Sequence, residues 1–75
     1  MNQIDLYNKI ADIALNAKRP IKISELANIL GVEKNGRNIH NYIRGAYGHF
    51  KRNNDQITAG KISGVFTDEN GNYVY

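Results

Sequence analysis

Cysteine and tryptophan are absent from the chain, proline and methionine occur once each, and no acidic residue stands between Lys34 and Arg52. Without cysteine there is neither a disulfide framework nor a thiolate metal site. Apolar runs stay at a few residues, far short of the ~20 that cross a bilayer, so no membrane association is expected. The opening MNQIDLYNK lacks the charged and apolar regions of a secretory signal, which makes a cytoplasmic location the default expectation. His40 and His49 are nine positions apart with no acid at ligand spacing, so neither a metal nor a cofactor is expected. Catalysis also lacks its usual marks: there is no carboxylate pair, no nucleophile at a telling distance from a histidine and no glycine-rich phosphate loop. An enzyme is therefore not expected.

What remains is a chain of 75 residues, 41% hydrophobic and 23% charged, which suits one small globular domain spanning residues 1–75 and not a disordered segment. The net charge of +3 is unevenly spread. Up to residue 33, Lys9, Lys18, Arg19 and Lys22 balance Asp5, Asp12, Glu25 and Glu33, and beyond residue 52 a lone Lys61 is outnumbered by Asp55, Asp68 and Glu69. Lys34, Arg37, Arg44, Lys51 and Arg52 carry the whole excess, which points to an anionic partner at that stretch.

Periodicity divides the chain into elements. Leu6, Ile10, Ile13, Ala14 and Ala17 recur at three- and four-residue spacing, and Pro20 closes the helix they define. A second stripe of Ile4, Tyr7, Ala11 and Leu15 widens its apolar surface, leaving two uses open for that stripe: further core packing or dimerisation. IKI at 21–23 reads as a brief strand. Ser24 reads as the N-cap of a short helix that Gly31 stops.

From Gly36 to Arg52 a third helix is predicted. On a wheel of about 100° per residue, Tyr42, Ile43, Ala46 and Phe50 cluster with Ile39, while Arg37, Asn41, Arg44, Gly48 and Lys51 lie opposite. Two accounts of Gly45 and Gly48 stay open: bare backbone that lets a nucleic-acid strand come close, or a helix that bends or ends near Gly45. NNDQ reads as a loop, and ITAGKIS is ambiguous between connector and strand. GVFTDENGNYVY alternates around Asn70-Gly71 and predicts a hairpin, with Phe66, Tyr73 and Tyr75 on one face.

This order of helix, short strand, two helices and hairpin resembles the winged helix-turn-helix DNA-binding domains. SELANILGV is similar to the first helix and turn of many helix-turn-helix motifs. The resemblance implies an α+β fold: three helices, a short strand and a C-terminal β-hairpin wing, with the helix from Gly36 as the recognition helix. Two departures stand out. The turn EKNG is longer than in the tightest motifs, and the wing tip bears Asp68 and Glu69 where many wings carry basic residues.

The function so implied is sequence-preferring binding of double-stranded DNA by a small transcriptional regulator. Arginine can bond a guanine edge and asparagine an adenine edge, so Arg37, Asn41 and Arg44 are the candidate base readers, flanked by Asn38 and His40. Lys51, Arg52 and Lys34 are candidates for phosphate contacts, and Gly48 for close backbone approach. Tyr42 and Tyr47 could stack on bases but sit at core spacing. A homodimer through the first helix or the hairpin edge is expected, since one copy would read a short site. Two alternatives use the same fold: a protein-interaction module acting through the hairpin or the first helix, and a phage or plasmid recombination accessory that bends its DNA.

Overall fold

The computed structural model describes residues 2–18, 20–32 and 37–75, the side chain of Arg37 excepted. Lys34 and Gly36 lie outside them. The described residues form four helices: α1 (Gln3–Asn16), α2 (Ile23–Leu30), α3 (Arg37–Arg52) and α4 (Gln56–Val65). α1, α3 and α4 pack on one another pairwise. Every helix sends an apolar side chain to one shared core, where Ile10, Ile23, Leu26, Ile39 and Ile62 are fully buried together with Phe66. The radius of gyration, 11.2 Å, is that of a well-packed domain of this length.

Local chemistry sets each boundary. α1 starts where Asn2 accepts a hydrogen bond from the Asp5 N–H at 2.8 Å. α2 ends on Gly31 at φ 72°, with the N–H groups of Gly31 and Val32 closing onto the carbonyls of Asn28 and Ala27. That stop is the one expected. The start is not: Lys22 occupies the N-cap without a side-chain bond, and Ser24 instead donates from Oγ to the Tyr75 carbonyl at 3.3 Å. Asn54 adopts φ 62° after α3, and the next residue, Asp55, caps α4 through the Thr58 N–H at 3.1 Å and the Thr58 hydroxyl at 2.8 Å. Asn53, Asn54 and Asp55 thus form the short turn between α3 and α4, where NNDQ was expected to be a loop.

The α+β winged-helix expectation is therefore wrong. Among the described residues there is no strand and no sheet; an isolated antiparallel bridge between Thr67 and Tyr73 stands where the wing was expected. The reason is α4. Ala59, Ile62 and Phe66 recur at helical spacing and all three are buried, so the segment gains more by continuing as a helix than by extending. Gly64 and Val65, expected to open the wing, belong to α4. Phe66 drops into the core while Tyr75 remains 60% exposed, which separates residues assigned to a single strand face.

The segment 21–23 forms no strand either: Ile23 opens α2, and its N–H bonds Val74 O at 2.6 Å while Ile21 N–H bonds Val65 O at 2.8 Å. The Asn70-Gly71 turn does form, with Gly71 at φ 82° and its N–H on Asp68 O. Asp68 accepts from the N–H groups of Asn70 and Asn72 at 2.9 and 3.0 Å, so its carboxylate serves the turn.

Candidate nucleic-acid interface on α3

α3 is 16 residues long and carries no acid. Its apolar stripe is buried as the wheel predicts: Ile39, Ile43 and Ala46 are in the core, with Tyr42 and Phe50 packed against it. The opposite side is the outer surface of the molecule, where Asn38, Asn41, Arg44, Lys51 and Arg52 are exposed and Gly48 is half-buried. These residues lie together on one ridge. Lys34, and the side chain of Arg37, fall outside the described residues.

Within the ridge the side chains are organised. Arg44 Nη2 donates to Asn41 Oδ1 at 2.7 Å, one helical turn apart. A guanidinium only donates, so the amide oxygen is the atom turned towards it, and both residues keep further N–H donors. The pair presents the guanidinium N–H donors of Arg44, which suit the two acceptors on the guanine edge or a phosphate, beside an asparagine whose amide oxygen already accepts one bond. Lys51 Nζ lies 5.4 Å from the centroid of Tyr47 and donates to its hydroxyl at 3.3 Å. The ammonium is thereby held over an aromatic face at the end of the ridge.

His40 does not belong to the ridge. Its ring stacks on Tyr73 at 4.5 Å with an interplanar angle of 9°, and its Nε2 is 2.6 Å from the Tyr75 hydroxyl. It fastens the C-terminal segment to α3. On the other flank His49 packs against Tyr7 and Phe50, with ring centroids 5.5 and 5.0 Å away. Among the described residues no group of three potential metal ligands occurs.

The helix does not stop at Gly45. It runs on to Arg52, and Gly45 is the point at which Tyr7 of α1 crosses α3 in direct contact. A Cβ at Gly45 would meet the Tyr7 ring, whereas one at Gly48 would meet only the end of the Arg52 side chain. What the sequence concealed was long-range pairing. Tyr73 and Tyr75 lie more than 30 positions from His40, and only their alternation marked them.

No family model, curated protein or solved structure matches this chain.

Proposed function

We propose that the protein binds double-stranded DNA as a small regulator, laying the outer ridge of α3 along the major groove. The observation that carries this reading is the exposed run of Asn41, Arg44, Lys51 and Arg52 on one face of a 16-residue helix that has no acidic residue. A helix of that length extends about 24 Å, enough to follow the groove and meet phosphates at its end. Asn41 and Arg44 are the base-facing pair, favouring guanine. Lys51 and Arg52 add affinity without sequence information.

The test is fluorescence anisotropy on a random-sequence duplex pool, with the retained duplexes sequenced. Arg44→Ala should weaken binding to the selected duplex by about tenfold or more and relax its guanine preference, while Arg52→Ala should weaken all duplexes alike. Both side chains are exposed, so the fold tolerates either change. Failure of the parent protein to bind any duplex at low salt would refute the proposal.

A further inference from the structure

Beside the ridge, between α3, α4 and the C-terminal segment, lies a cleft of about 160 Å³ bordered by Arg44, Tyr47, Ser63, Thr67 and Tyr73 over buried Ile43 and Ile62. We propose that it receives a single unpaired pyrimidine base, so that the protein prefers nucleic acid carrying an extruded or single-stranded nucleotide. The inference rests on the nucleic-acid reading of α3 and adds to it a class of target.

Size comes first. An apolar cavity of about 150 Å³ takes one benzene ring, whereas sites for larger ligands run from about 300 Å³ upward. One ring fits here, and a whole nucleotide does not. The cleft has two aromatic side chains, and Tyr73 is held in place by its stack on His40 and by the bridge to Thr67. A base stacks on such surfaces whatever its sequence context.

Polarity then selects the ring. The Ser63 hydroxyl donates to Gly60 O at 3.2 Å and the Thr67 hydroxyl to Ser63 O at 3.0 Å. With their protons directed to backbone carbonyls, both oxygens are left as acceptors, and they suit a ring bearing N–H groups. A phenylalanine ring has none to offer. Charge selects what the ring is attached to: Arg44 is at the rim and the Lys51 ammonium at the Tyr47 hydroxyl, so an anionic group beside the ring is favoured. A pyrimidine joined to a phosphate meets all of these conditions.

The experiment measures anisotropy of three labelled probes: a fully paired duplex, the same duplex with one bulged cytosine, and the same bulge made abasic. The expected result is about tenfold tighter binding of the cytosine bulge than of the other two, as stacking of one base provides. Ser63→Leu, which fills the cleft from an exposed helical position, should remove that preference and leave paired-duplex affinity unchanged. Tyr73→Leu should remove it too, with circular dichroism confirming that both variants are folded. Equal binding of all three probes overturns the inference and leaves duplex binding standing. Binding of the cytosine bulge alone upholds it and overturns the duplex reading. Binding of an acidic phenylalanine-containing peptide in place of every oligonucleotide overturns both.

Discussion

A Cβ placed on Gly45 would fall within 2.8 Å of Tyr7 Cζ and closer still to the tyrosine hydroxyl, whereas one placed on Gly48 meets the end of the Arg52 guanidinium at 3.0 Å. The tyrosine is buried and cannot withdraw; the arginine is exposed and can. Alanine improves helix propensity by about 1 kcal/mol at either position, so the sign of each substitution is set by its neighbour. Gly45→Ala should lower the unfolding free energy by about 1–2 kcal/mol once overpacking is set against that gain, and Tyr7→Phe should recover part of the loss by removing the nearest atom. Gly48→Ala should raise stability by up to about 1 kcal/mol while weakening duplex binding, because its methyl group stands on the docking ridge. Urea denaturation of the three variants checks the stabilities. A neutral Gly45→Ala would show that the two helices do not cross closely there.

At the scale of the helix, α4 hangs on Asp55. Hydrogen bonds from the Thr58 N–H, and secondarily from the Thr58 hydroxyl, hold its carboxyl below the ordinary value of 3.8, with a small opposing effect of burial. A carboxyl whose value is lowered by folding contributes stability that is complete above its unfolded value and disappears as pH falls through the folded one. Stability should therefore decline below about pH 4, and Asp55→Asn, which keeps a capping oxygen but cannot titrate, should flatten that decline. Thermal melts across the acid range decide it; equal slopes for parent and variant would remove Asp55 as the source.

The same cap shows what could be read from the chain. α1, the glycine stop of α2 and the buried stripe of α3 were legible because their apolar residues repeat at helical spacing. α4 was not: Gly60 and Gly64 interrupt it, Ile57 points to solvent at 77% exposure, and its specification rests on Asp55 and three buried side chains. The turn at Asn70-Gly71 was legible, but a turn does not make the strands beside it, since Phe66 had already been claimed by the core. For the candidate site, the wheel found the exposed face of α3, while the bond that ties Asn41 to Arg44 depends on rotamers that periodicity does not report.

For the whole molecule, affinity should be set by how many phosphates one copy can reach. The longest dimensions are 30 Å, which at 3.4 Å per base pair corresponds to about 9 base pairs, less than one turn of duplex. The chain offers five basic residues from Lys34 to Arg52. With four or five phosphates neutralised, log affinity against log salt should have a slope of about −4 for a monomer and about −8 for a dimer that places two copies on one site. On the second α1 stripe Tyr7 and Ala11 are buried within the molecule, leaving Ile4 and Leu15 at 49% and 46% exposure. A slope of about −4 belongs to one copy per site and a slope of about −8 to the homodimer that the sequence leads one to expect. Replacing Arg52 or Lys51 with alanine should make it shallower by about 0.9 each, whereas Lys61→Ala, on α4, should leave it unchanged. A slope near zero would mean that binding, where seen, does not pass through these cations, and equal effects of Lys61 and Lys51 would mean that charge acts without regard to the face that carries it.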